Sequence, residues 1–336
     1  MVAAGCRLYQ NYRQMAFMGF AAVLANLPKI RRNFHIARRA LLEEKPDALI
    51  LIDYPSFNLK MAAFCRRHLP NTKIYYYIPP KVWAWKRWRI HRIARLCDEV
   101  LAIFPFEEAF YARYGYRCTY VGNPTAEAMD RYLSSCDNSE SVAPTIAVLP
   151  GSRPSEVSHC LPVMLEAARR LADYRIVVTA APGMDDAAYA PYLQPGETLT
   201  RDTYRVVRNA RVAIVNSGTA TLETALLGCP QVAVYYLACS RLIGWIRGLQ
   251  PLMFSIRHFT LVNILADREV IRELVANDFT ADNIETELRR LLSDPAAIPA
   301  MLSDYGYIRS LLHAPHSSAA EIIAKKQEAP NHRRGN

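Results

Sequence analysis

Short apolar runs recur along the chain, each followed by a polar turn and a longer amphipathic stretch. The runs lie at 48–52, 73–78, 99–103, 118–121, 145–149, 175–179, 212–215 and 231–236. Their centres are apolar without alternation, polar residues falling mainly at the ends, and 212–215 is apolar throughout, which predicts strands buried on both faces. Between and after them, apolar residues at three- and four-residue spacing predict helices over 33–44, 57–68, 86–96, 106–113, 157–172, 202–209, 219–227, 267–276 and 280–293. Regular alternation of strand and helix makes an α/β protein whose parallel sheets are covered by helices. A polar, turn-rich stretch over 134–141 interrupts the series and reads as a linker. The pattern therefore predicts a Rossmann-like domain over 1–140 and a second over 141–305, with a cleft between them. Residues 306–328 are expected to form helices that pack on the first domain or on a partner subunit, and 329–336 an unstructured tail. Ligands of such sheets bind beyond the carboxyl ends of the strands, which is where chemistry is to be sought.

Composition narrows the class. Of 336 residues, 51% are hydrophobic and 21% charged, the balance of a globular protein rather than a fibrous or disordered one. Eight scattered cysteines include no C-x-x-C pair, which argues against a zinc ribbon or a thioredoxin-like site and for reduced thiols in a cytoplasmic setting. No H-x-x-x-H occurs, and Asp185-Asp186 lacks the Asp-x-Asp spacing of metal-dependent sugar transferases, so no metal or other cofactor is expected. Charge is uneven. Residues 1–140 hold 21 Lys and Arg against 12 Asp and Glu, so nearly all of the net +10 lies there. A basic half attracts polyanions, either nucleic acid or an anionic membrane face.

The chemistry concentrates at turns that follow strands. Val212–Val215 runs into Asn216-Ser217-Gly218-Thr219 and then a helix from Ala220. A small-residue turn feeding a helix leaves backbone N–H groups directed at one point, which suits a phosphate. Glu223, one turn further on, suits the two neighbouring hydroxyls of a ribose. Leu149-Pro150-Gly151-Ser152-Arg153 repeats the arrangement, and Arg153 adds a forked pair of donors. Close packing alone would also favour such small residues. Asp53 stands where the strand 48–52 ends and could accept a proton from an attacking hydroxyl; a turn aspartate is the plain alternative. Trp83, Trp85 and Trp88 alternate with cations, which fits single-strand stacking, an interfacial belt or a sugar wall, and equally an ordinary core. Phe17, Phe20, Val23, Leu24 and Leu27 share helical spacing ahead of a cluster of arginines, the pattern of a helix lying in a membrane surface or of one facing a core.

Several motifs together resemble one family. Met18-Gly19, Ile52-Asp53-Tyr54-Pro55-Ser56-Phe57-Asn58, Pro79 to Trp85, Phe104-Pro105-Phe106-Glu107, Val121-Gly122-Asn123-Pro124, Leu149 to Arg153, Asn216 to Glu223, and Asn263-Ile264-Leu265 with Arg268-Glu269 occur in the order found in lipid-A-disaccharide synthases. The resemblance implies the GT-B fold and an inverting transfer. The sugar comes from UDP-2,3-diacylglucosamine and goes to 2,3-diacylglucosamine 1-phosphate (lipid X), on the cytoplasmic face of a Gram-negative inner membrane. It implies Asp53 as base and Arg153 with Ser152 and Ser217–Ala220 on the pyrophosphate. Glu223 would hold the ribose, and Asn263 would be a further donor-site residue. The amphipathic stripe, Trp83 and Trp85 would face lipid. It leaves open a homodimer and gives no role to nucleic acid. Family members also begin with a further strand and a Gly-Glu-x-Ser-Gly-Asp loop, roughly 40 residues that belong in the centre of the first sheet; a chain without them is expected to be inactive or poorly folded. Many relatives carry an acidic residue where Ser56 stands, which leaves Asp53 as the sole base. The competing readings are a UDP-sugar epimerase of related architecture, a basic single-strand nucleic-acid binder, and a non-catalytic remnant.

Overall fold

A computed structural model describes residues 5–10, 27–136, 144–236, 257–313 and 318–328. The chain divides into two compact units, Met1–Val121 with Ala314–Asn336, and Gly122–His313.

The first unit opens with helix α1 (Leu27–Glu44) and continues β1 (Ala48–Ile52), α2 (Pro55–His68), β2 (Lys73–Tyr77), α3 (Arg89–Leu96), β3 (Glu99–Ala102), α4 (Phe106–Ala112) and β4 (Thr119–Tyr120). Its four described strands are parallel in the order β1-β2-β3-β4. Register pairs Ile52 with Tyr77 and Tyr77 with Leu101, so the carboxyl ends of the first three strands lie side by side. Ile74, Tyr76, Ile90, Ile93, Val100 and Tyr111 fill the core between sheet and helices.

The second unit runs α5 (Pro124–Ser134), β5 (Thr145–Leu149), α6 (Pro154–Arg169), β6 (Arg175–Thr179), β7 (Thr198–Thr200), α7 (Thr203–Asn209), β8 (Val212–Asn216), α8 (Thr219–Leu226), β9 (Gln231–Tyr235), α9 (Leu261–Ala266), β10 (Glu273–Val275), α10 (Ala281–Ser293) and α11 (Ala297–Leu312). Its sheet is wholly parallel, ordered β10-β9-β8-β5-β6-β7. Every residue of β5 and β8 is buried, the signature of strands covered on both faces. Helix α6 turns Val157, Cys160, Leu161, Met164, Leu165 and Ala168 inward at the spacing that keeps one face on the sheet.

The division falls ahead of the polar stretch at 134–141 because α5, started by Pro124 and capped by the Asn123 side chain, packs on α8. At the other end α11 stays in the second unit. Helix α12 (Ala319–Glu328) belongs to the first, where Lys326 pairs with Glu99 and Gln327 Nε2 donates to the Tyr75 hydroxyl at 3.1 Å.

One predicted helix is absent. Residues 267–276 form no helix; they contain an irregular turn and the short strand β10. Asp267 takes a left-handed conformation (φ 51°) that ends α9, and β10 then pairs in parallel with β9. The elements α5, α9 and β7 and the first part of α11 fall outside the predicted helices and strands. No helix among the described residues is long and apolar enough to cross a membrane.

Candidate active site

In the second unit the chain leaves β5 through β6 to β7, then returns to lay β8 on the opposite side of β5. The loops after β5 and β8 therefore part from each other at the carboxyl edge, and a crevice opens where the strand order reverses. A pocket of about 670 Å³ lies there. It brings together Ser152, Arg153, Ser217, Gly218, Thr219, Ala220 and Glu223, seven of the residues singled out in the sequence.

After β8, Ser217 N donates to Val234 O at 2.7 Å, which holds the turn to the neighbouring strand. Helix α8 then starts at Thr219 with no side-chain cap on its first turn. Its N-terminal N–H groups and the positive end of its dipole face the pocket. Across the pocket floor, Gly151 has φ +118°, and a Cβ there would stand 2.6 Å from Glu156 Oε2 and 2.7 Å from Asn216 Nδ2. Both the backbone conformation and the close approach require glycine at this position.

Glu156 was not anticipated. It stands in the first turn of α6, and its carboxylate accepts from Ser152 N at 2.9 Å and from Arg153 Nη1 at 2.8 Å. The second anion-friendly turn thus already holds a carboxylate supplied by the chain itself. Its sequence signal is an acidic residue three positions into a helix, which also reads as routine capping. Thr179, Arg201 and Tyr204 were also missed. Thr179 ends β6 beside β5, and Arg201 donates to Met184 O at 2.8 Å and pairs with Asp186, fixing the loop after β6 as one wall.

Glu223 is partly buried, and burial pushes its carboxyl above the usual carboxylate range; the Tyr204 hydroxyl, bonded to it, opposes that shift. The arrangement offers a dipole and a guanidinium for a diphosphate and a carboxylate for vicinal hydroxyls. Among the described residues no group of three or more His, Cys, Asp or Glu is disposed to hold a metal ion.

Other candidates fall elsewhere. Asp53 is exposed at the carboxyl end of β1 in the first unit, in a left-handed conformation with φ 45°. Asn263 is fully buried and lies outside the pocket. Its Oδ1 accepts from Val270 N (2.8 Å) and Ile271 N (3.0 Å), and its Nδ2 donates to Ile271 O and Glu273 Oε1, both at 2.9 Å. It holds the turn before β10 and has no capacity left for a ligand. Trp83 is also a correction. It is 7% exposed, its Nε1 donates to buried Glu107 at 3.1 Å, and its ring meets Phe106 edge-on at 5.1 Å, so it is core rather than lipid-facing. Trp85 and Trp88 are exposed, with Lys86 Nζ 4.2 Å from the Trp85 ring centre and Arg89 Cζ 5.7 Å from that of Trp88. Phe17, Phe20, Val23 and Leu24 lie outside the described residues, as does the side chain of Leu27.

Comparison with known proteins identifies the family and the fold. The family model described as LpxB, lipid-A-disaccharide synthetase, matches residues 1–326. The chain is 37% identical over 327 residues to the lipid-A-disaccharide synthase of Anaeromyxobacter dehalogenans (strain 2CP-C), covering 93% of this chain and 83% of that protein. Among solved structures it resembles a UDP-N-acetylglucosamine 2-epimerase from Listeria monocytogenes, described as putative. That match has a TM-score of 0.56 at 12% identity and covers 90% of this chain and 79% of that one. It also resembles the glycotransferase of kitacinnamycin, with a TM-score of 0.57 at 14% identity, covering 92% and 83%. These likenesses establish the fold, two Rossmann-like units of the GT-B type.

The internal role of Asn263 is testable. Asn263→Ala strands two backbone N–H groups and one carbonyl away from water, and chemical denaturation is expected to show a loss of about 2–4 kcal/mol. An unchanged midpoint would mean that its four bonds are not what holds the turn.

Proposed function

The chain belongs to the lipid-A-disaccharide synthase family, and on that premise we propose how its residues divide the synthesis of the lipid A disaccharide between the two units. The donor is UDP-2,3-diacylglucosamine and the acceptor is 2,3-diacylglucosamine 1-phosphate. The observation that carries the reading is the convergence of Arg153, the start of α8 and Glu223 on one pocket at the reversal of strand order.

The uridine diphosphate group occupies that pocket. Its pyrophosphate meets the N–H groups of Ser217–Ala220 and the guanidinium of Arg153, and its ribose hydroxyls donate to Glu223. Asp53 supplies the base. A primary alcohol is a poor nucleophile until its proton is taken in the transition state. As Asp53 accepts that proton, the 6-oxygen of the acceptor bonds to C1 of the donor sugar. The bond from C1 to the β-phosphate oxygen breaks, and its electron pair leaves with UDP. Attack opposite the leaving group inverts C1 and gives the β(1→6) linkage. Charge that develops on the leaving phosphate is stabilised by the helix dipole and by Arg153, so the step needs no resident metal.

Both substrates carry acyl chains, and the protein works as a peripheral enzyme on an anionic bilayer surface. Trp85 and Trp88 support this: each is more than half exposed and each lies beside a cation, the combination that seats an aromatic ring at headgroup level.

Three outcomes are expected. Asp53→Asn lowers turnover by about 10²–10⁴-fold while UDP binding, followed by calorimetry, stays as in the wild type; full turnover would remove Asp53 as the base. Glu156→Gln keeps an acceptor for Ser152 N but takes a negative charge out of the pyrophosphate site, so UDP affinity rises roughly tenfold, equivalent to about 1.4 kcal/mol. An unchanged or weaker affinity would place the pyrophosphate elsewhere. Changing both Trp85 and Trp88 to Ser weakens binding to phosphatidylglycerol vesicles, read by sedimentation, about 30-fold, on the order of 1 kcal/mol per ring, and leaves UDP affinity alone. Undiminished vesicle binding would shift the anchor to another surface.

A further inference from the structure

The connection from β1 to α2 is built against local preference. Asp53 and Tyr54 are consecutive non-glycine residues in the left-handed region, with φ of 45° and 40°. Such a residue is strained and persists only where its surroundings enforce it. Tyr54 also precedes Pro55, and a residue before proline is pushed toward extended backbone. The turn lacks the usual help as well: Tyr54 occupies the N-cap of α2 without any side-chain cap bond.

Two side chains from different elements supply the enforcement. Asn58, in the first turn of α2, reaches back with Nδ2 to Ile52 O at 2.9 Å and to Asp53 O at 2.6 Å. Tyr76, on β2, donates its hydroxyl to the same Asp53 O at 2.9 Å. The Asp53 carbonyl therefore accepts from both, while Asp53 N donates to Tyr77 O at 3.2 Å. The peptide units on either side of Asp53 are held, and its carboxylate is left exposed at the carboxyl edge of the sheet. Tyr76 is buried, and burial pushes its phenol well above the ordinary range, so the hydroxyl remains a donor at working pH.

We propose that Asn58 and Tyr76 are positioning residues of the transfer reaction, which fix the strained backbone of Asp53 so that its carboxylate is aimed before the acceptor arrives. This rests on Asp53 as the base. A base held in one orientation removes a reorganisation step from the barrier, and a displacement of about 1 Å can cost 10²-fold in rate. Ordinary turn chemistry at residues 53 and 54 would relax the backbone and release that orientation. Neither Asn58 nor Tyr76 needs to touch either sugar.

Steady-state kinetics of the full chain with both acylated sugars test this. Asn58→Ala and Tyr76→Phe are each expected to lower kcat by about 10²-fold with KM for both sugars within about twofold. In an Asp53→Asn background, single-turnover rates should show no further loss from either change, because the orientation of a missing base no longer matters. Tyr76→Phe removes one oxygen from a retained ring, so it reports on the hydrogen bond even if Asn58→Ala folds poorly. Full kcat in both single variants, with Asp53→Asn inactive, would overturn the positioning role while leaving the base in place. Losses that multiply with Asp53→Asn would overturn it too, since the two residues would then act independently of Asp53. Wild-type kcat in Asp53→Asn itself would remove the base and this proposal together.

Discussion

Parallel strands cannot be joined by a hairpin. Each pair needs a crossover through a helix, so carboxyl ends of strands and N-termini of helices collect along one edge of a parallel sheet. All described strands of both units are parallel. In the second unit the constraint acts twice, because the order reverses between β5 and β8 and two such edges diverge at one point. The pocket, its uncapped helix start and the glycine beneath it follow from that reversal. Had β8 been added beyond β7 instead, the turns at 151–153 and 217–220 would stand three strands apart and share no ligand.

Electrostatics then decide how the pocket is kept ready. Empty, it would set a guanidinium and a row of amides around nothing. Glu156 fills that need by accepting from Ser152 N and pairing with Arg153, both across exposed or partly exposed geometry where each bond is individually weak. A phosphate carries more charge and more acceptor oxygens than the carboxylate, so a site ordered in this way can exchange one anion for another. The first unit uses a buried carboxylate differently. Glu107 accepts from Trp83 Nε1 and Phe104 N, and burial pushes its carboxyl up to about 7, with Lys81 opposing the shift. That buried knot ties the loop after β2 to the corner after β3, and it is the reason Trp83 is drawn into the core while Trp85 and Trp88 remain outside.

Most of this architecture could be read from the residues. Runs such as 146–149 and 212–215 are apolar throughout, and only burial on both faces explains that, so the parallel sheets were legible. So was the turn after β8, where small residues meet a helix start. Tertiary context hid the rest. Residues 267–276 have helical spacing, but Asp267 in a left-handed cap and the pull of pairing with β9 make a strand of their end. Asn263 lies within a family motif, and only its four internal bonds separate a structural amide from a ligand-binding one. Trp83 and Trp85 stand two positions apart among the same cations, yet one is core and the other is not, because Trp83 donates to the buried carboxylate of Glu107. Asn58 looked like the end of a motif; its reach back to the Asp53 carbonyl depends on a left-handed pair that no composition rule foretells.

The central claim is that the uridine diphosphate group sits at the reversal of strand order in the second unit. Amide hydrogen exchange of the full chain, with and without saturating UDP, tests it most directly. Slower exchange is expected at Ser152 and over Ser217–Ala220, with the amides of β1 and β2 unchanged. Protection confined to the first unit, or none at all, would contradict it.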